Sequence, residues 1–112
     1  MEISKKTEGT GNVVYLSGRM DAYAANDVEQ KLESLATVKH ANLVLNLREL
    51  EYISSSGLRV LLATLKKATK QQGDVRLACL NPSVKDVFDI AGFTQLFKIY
   101  DKEEDAINSL KL

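Results

Sequence analysis

Apolar residues are sparse over residues 2–6, where Ile3 stands almost alone. They are dense over residues 12–17, where Val13, Val14, Tyr15 and Leu16 follow one another. With glycine-containing segments on either side, this predicts two strands joined through Glu8, Gly9, Thr10, Gly11 and Asn12. The first strand has little to bury and is expected at a sheet edge. Over residues 23–36, Ala25, Val28, Leu32 and Leu35 recur at the spacing of one helical face, with Asp27, Glu29, Lys31 and Glu33 off it, which predicts an amphipathic helix. Leu43, Val44, Leu45 and Leu47 form a nearly continuous apolar run, the pattern of a central strand covered on both faces. A second helix is predicted to follow that strand directly, built on Leu58, Leu61, Leu62, Leu65 and Ala68 and stopped by Gly73.

Residues 75–80 predict a third interior strand. Asn81 as cap and Pro82 at the first helical position then open a helix that buries Val84, Val87, Phe88 and Ala91 and ends at Gly92. Residues 96–100 read as a short strand. Asp101 with Glu104 reads as a capping box for a last helix that turns Ala106, Ile107 and Leu110 inward. The pattern as a whole predicts an α/β fold: an opening hairpin, then alternating parallel strands and helices, giving a mixed sheet of about five strands with about four helices and right-handed crossovers. The 112 residues suit one domain spanning 1–112.

Composition narrows the function classes. At 45% hydrophobic and 27% charged, the chain can bury a core. Fifteen basic and fifteen acidic residues cancel, and no basic block stands out, so nucleic acid is not an expected ligand. Cys79 has no partner for an intrachain disulfide and sits in an apolar run, so it reads as a buried, inert thiol of a reducing compartment. The first residues lack the apolar core of a signal peptide, and no stretch approaches the length of a membrane span. The expectation is a cytoplasmic protein without direct membrane insertion. His40 stands alone in the loop of residues 36–42, with no second metal ligand near it, so no metal or other cofactor is expected.

The chemistry lies in Ser54, Ser55 and Ser56, followed by Gly57 and by the apolar face that starts at Leu58. Three hydroxyls at a helix start meet unpaired backbone amides and a partial positive charge of about 0.5, both favourable to a phosphate. One serine would be enough to cap the helix; two more beside a glycine leave room for a partner's phosphate. A Walker A loop is excluded, because no glycine-rich run ends in Gly-Lys-Ser or Gly-Lys-Thr. The nucleophile elbow fails as well, since no glycine stands two places before any of the three serines. A serine hydrolase needs a histidine and carboxylate set to activate its serine, and the sequence offers none because His40 is alone, so no catalytic residues and no enzyme are expected.

The sequence resembles the anti-sigma factor antagonists, which are built on the STAS domain. The resemblance rests on Leu16, Gly18, Met20 and Asp21, on the run from Leu43 to Leu47, and on Ile53-Ser54-Ser55-Ser56-Gly57-Leu58. Asn81-Pro82-Ser83, the Ile90-Ala91-Gly92-Phe93 turn and the final helix with Ala106 extend it over nearly the whole chain. It implies a STAS-like sheet and a protein switch. The unphosphorylated form would sequester an anti-sigma factor that is itself a serine/threonine kinase, and phosphorylation of Ser55 would release it. A serine phosphatase would reset the switch, and the free protein would be a monomer. Ser54 and Ser56 are secondary acceptors. The implied partner surface comprises Asp21, Ala22, Ser54, Ser56, Gly57, Leu58 and Arg59. This chain departs from the family pattern at Ser54, where the family usually has aspartate. The competing expectation is therefore a STAS scaffold, or a subunit of a signalling or lipid-transport assembly, that is never phosphorylated.

Overall fold

The computed structural model describes residues 1–110. The sheet runs β1 (Glu2–Glu8), β2 (Gly11–Met20), β3 (Asn42–Asn46), β5 (Asp74–Ala78), β6 (Lys98–Tyr100), with β4 (Leu50–Ile53) paired to β2 off that path. β1 and β2 are antiparallel, whereas the pairings of β2 with β3 and β4, of β3 with β5, and of β5 with β6 are parallel. The predicted hairpin is present but tighter than expected. Glu8 faces Gly11 across Gly9 and Thr10 alone, with Gly9 at φ 56°, a conformation that favours glycine in a two-residue turn. β1 lies at the edge, as its polar sequence predicts.

Alternate strand residues feed two cores. Val14, Leu16, Leu43, Leu45, Val75 and Leu77 pack under α1 (Ala22–Ala36), α2 (Ser55–Lys70) and α3 (Pro82–Ala91). Val13, Val44, Ala78 and Cys79 face the other way and are covered by Ala106, Ile107 and Leu110 of α4 (Glu103–Leu110). Each large aliphatic side chain buried in this way contributes about 1.5–3 kcal/mol.

A sixth strand joins the five expected. The second helix does not follow the central strand directly, because β4 stands between them. Within β4, Leu50 and Ile53 are buried while Glu51 and Tyr52 are exposed, so the apolar spacing is three rather than two. The partner that makes it a strand is the far end of β2. There Gly18, at φ 99°, sits at a register shift, and β2 passes from pairing Asn12–Tyr15 with β3 to pairing Gly18–Met20 with β4.

α3 has the predicted ends. Asn81 Oδ1 accepts from the Val84 N–H at 3.0 Å, Pro82 follows, and Gly92 closes the helix at φ 77°. Asn81 Nδ2 also donates to the Leu50 carbonyl at 2.6 Å, tying α3 to β4. β6 begins later than predicted, at Lys98, because Phe93–Gln95 form a 3₁₀ turn. That turn is held by Phe88, Phe93 and Phe97, whose ring centroids lie 6.2–6.4 Å apart. α4 also starts later than its expected capping box. The Ala106 N–H bonds the Lys102 carbonyl at 3.3 Å, which puts Lys102, not Asp101, in the cap position.

α2 ends in a Schellman motif: the Gly73 N–H bonds the Ala68 carbonyl at 2.9 Å and the Gln72 N–H bonds that of Thr69 at 3.0 Å. The left-handed residue is Gln72, at φ 65°, not Gly73. Gly73 is needed for a different reason, since a Cβ there would overlap the backbone of Ala41.

Candidate functional site

The serine turn is built by two helix starts held side by side. Asp21 caps α1, its carboxylate accepting from the Ala24 N–H at 2.8 Å. Ser54 caps α2, its hydroxyl accepting from the Gly57 N–H at 3.1 Å. The Ser54 N–H donates to the Met20 carbonyl at 2.9 Å and so locks one cap beside the other. The Gly18 bulge makes this possible, because it brings Met20 opposite Ile53. The Asp21 carboxylate compensates the partial positive charge of the α1 start, whereas α2 has a neutral cap and no acidic residue in its first turn, so the charge of that start is left uncompensated.

The three serines differ in their surroundings. Ser54 is half-buried and engaged as the cap, Ser56 is half-buried, and Ser55, the first residue of α2, is exposed. Arg59, exposed one turn on, lies on the same helix face as Ser55. Asp21 and Ala22 are exposed beside them.

Gly57 and Leu58, which the resemblance places on the partner surface, are both buried. Leu58 is only 6% exposed and packs in the core. Gly57 is buried and helical; a Cβ on it would lie 2.8 Å from Ile53 Cγ1, 3.1 Å from Met20 Cγ and 3.2 Å from the Met20 carbonyl oxygen. Its role is close approach, since the first turn of α2 rests directly on β2 and β4.

Two surface features escape the motif-based reading. Tyr23, in the first turn of α1, is 94% exposed beside the Asp21 cap. It falls off the stripe of Ala25, Val28 and Leu32, and that offset is the signal in the sequence. Arg19 lies over the ring of exposed Tyr52 at 4.4 Å from its centroid, just before the Met20 and Ile53 pair. Only the β2–β4 register, invisible in the sequence, joins these two residues.

Cys79 is buried, at φ 63°, and Arg48 Nη2 approaches its sulfur at 3.5 Å, a basic neighbour that the sequence does not place near it. His40 is an exposed loop residue at φ 57°. Among the described residues no three His, Cys, Asp or Glu side chains converge to hold a metal ion, and no helix is long and apolar enough to cross a membrane.

The fold and site define an α/β module whose exposed chemistry is a serine at paired helix starts. The chain belongs to the STAS domain family, whose model matches residues 3–106. It is 34% identical over 99 residues to BtrV of Bordetella bronchiseptica, a candidate anti-sigma factor antagonist, covering 88% of this chain and 85% of that one. It is 30% identical to the anti-sigma F factor antagonist of Paenibacillus polymyxa, over 89% of this chain and 86% of that one. The fold is similar to the crystal structure of an anti-sigma factor antagonist from Mycobacterium paratuberculosis, with a TM-score of 0.87 at 25% identity, covering 99% and 94% of the two chains.

Proposed function

We propose that this protein is a cytoplasmic anti-sigma factor antagonist that works as a binding switch rather than as an enzyme. Unphosphorylated, it sequesters an anti-sigma factor serine/threonine kinase; phosphorylated on Ser55, it releases that kinase until a serine phosphatase restores the hydroxyl. The observation that carries the reading is the division of labour in the turn. Ser54 supplies the cap, so Ser55 is the exposed hydroxyl on a ready-made anion site. The partner surface is Asp21, Ala22, Ser55 and Arg59 with the exposed edges of Ser54 and Ser56; Tyr23 adds an aromatic anchor to it.

Phosphate adds about −1.5 to −2 charges. The helix start accommodates that charge in the free monomer, so the domain itself changes little. A partner that closes over Ser55 must desolvate the charge. A penalty of about 4 kcal/mol weakens binding about a thousandfold, enough for an on/off signal. Intact mass after incubation with the cognate kinase and ATP should show one added phosphoryl group, absent in Ser55→Ala. The kinase should be retained by wild type and Ser55→Ala and lost by Ser55→Asp. Ser54 in place of the family's aspartate favours a second reading, a constitutive scaffold, which predicts no added mass and equal retention by all three proteins.

A further inference from the structure

Charge is distributed unevenly on α2. Its sixteen residues include Arg59, Lys66, Lys67 and Lys70 and no carboxylate, in a chain whose formal charges cancel. Lys67 turns toward α1 and pairs with Glu33 at 3.2 Å. Arg59, Lys66 and Lys70 are exposed. Ser55, Arg59, Leu62, Lys66 and Lys70 follow at steps of four, three, four and four, so they form one stripe along the outer face of the helix.

Along the second half of that stripe, Leu62, Leu65, Lys66, Thr69 and Lys70 face Leu96 across an open groove of about 430 Å³. Leu96 follows the 3₁₀ turn and is 51% exposed. The groove is therefore apolar at its floor and cationic along its rim.

We infer that this groove docks an acidic amphipathic helix of a protein partner, with apolar side chains against Leu62, Leu65 and Leu96 and carboxylates on Lys66 and Lys70. Charge complementarity selects an acidic occupant. Concavity selects a helix over a bilayer, because a lipid surface takes apolar residues that protrude rather than a cleft between two elements. Continuity with the Ser55 turn makes the occupant part of the same bound protein; for that partner's identity the inference rests on the function proposed above. Ser55 and Lys66 are about 16 Å apart along the helix axis, at 1.5 Å per residue. That is roughly twice the Debye length of about 8 Å at physiological salt, so a phosphate on Ser55 acts on Arg59 and leaves the groove unaffected. The groove is a second foothold, insensitive to the switch.

The test uses the full chain, isotope-labelled and titrated with a designed four-turn helical peptide carrying leucine on one face and glutamate beside it. A control peptide carries lysine in place of glutamate. Amide shifts should centre on Leu62, Lys66, Thr69 and Leu96, and a Lys66→Glu, Lys70→Glu double variant with unchanged circular dichroism should bind about fivefold or more weakly. Ser55→Asp should bind the peptide as wild type does. Absence of these shifts, equal binding of the lysine peptide, or undiminished binding by the double variant overturns the inference; so does tighter binding to phosphatidylglycerol vesicles than to the peptide. With the cognate kinase, release by Ser55→Asp but undiminished binding by the double variant refutes the groove and leaves the switch standing. Kinase binding by none of the proteins refutes the switch, and the peptide titration then decides the groove alone.

Discussion

Ser54 and Ser55 are adjacent and chemically identical, yet one hydroxyl closes a helix and the other meets solvent. A serine can cap as well as the aspartate usual in the family, because either side chain offers an oxygen to the third amide of the helix. Gly57 sets the depth at which that cap sits. In Gly57→Ala the added methyl meets Ile53 and the Met20 backbone, an overpacking cost of about 1–3 kcal/mol. Better helix propensity offsets about 1 kcal/mol of it. The expected net loss is about 1 kcal/mol, a fall in Tm of several degrees for a domain of this size. Thermal unfolding measures it, and a raised Tm would mean that the helix start is free to shift outward. The turn itself was legible from Ser54 to Gly57, because hydroxyls and a glycine before an apolar face mark a capped helix start. The inward direction of Leu58 was legible too, since it opens the apolar face of the helix, and it is the partner surface implied by the resemblance that its burial contradicts.

Helices announce themselves by period and by their end residues, and α1, α2 and α3 lie close to where those signals put them. β4 was illegible because four residues with both ends buried do not alternate, and because its pairing depends on a bulge one strand away. The stop of α2 at Gly73 was legible, but not the way it works. Glycine is the usual left-handed residue, but here the chain puts Gln72 in that conformation and keeps Gly73 for its lack of a Cβ. Replacing Gln72 with glycine should remove left-handed strain of about 1–2 kcal/mol. Glycine's greater freedom in the unfolded chain returns about 0.5–1 kcal/mol of that gain. A net stabilisation of about 0.5–1 kcal/mol should appear in urea melts with an unchanged m-value; a loss of stability would mean that the glutamine side chain contributes contacts that outweigh the strain.

Across the whole molecule, the first strand and the last helix are joined by a small polar network. Glu103 receives Asn46 Nδ2 at 3.0 Å and Lys6 Nζ at 3.2 Å. Burial pushes the Glu103 carboxyl up, but hydrogen bonds from Asn46, Tyr15 and Lys6 outweigh it and hold the group below its ordinary 4.5. The hydrogen bond to Glu103 raises Lys6 above 10.5. A carboxyl depressed in the folded state stabilises above its unfolded value and loses that contribution as pH falls through the folded one. An ammonium raised in the folded state stabilises below its unfolded value and loses that contribution as pH rises through the folded one. Stability should therefore decline below about pH 4.5 and again above about pH 10.5. Glu103→Gln should shallow the acid limb, as measured by urea melts across a pH series; parallel limbs in both proteins would show that the network does not govern it. No pattern in the sequence pairs residue 6 with residue 103, since that contact depends on strand order.

The bulge at Gly18 divides β2 into two lengths with different neighbours. The first length belongs to the interior and answers to packing. The second, redirected by a single residue, leads into the Asp21 cap and holds the Ser54 cap through the carbonyl of the buried Met20. A change at that one residue would therefore move the presented face and the Met20–Ile53 part of the core together, so recognition and packing are tied at a single joint.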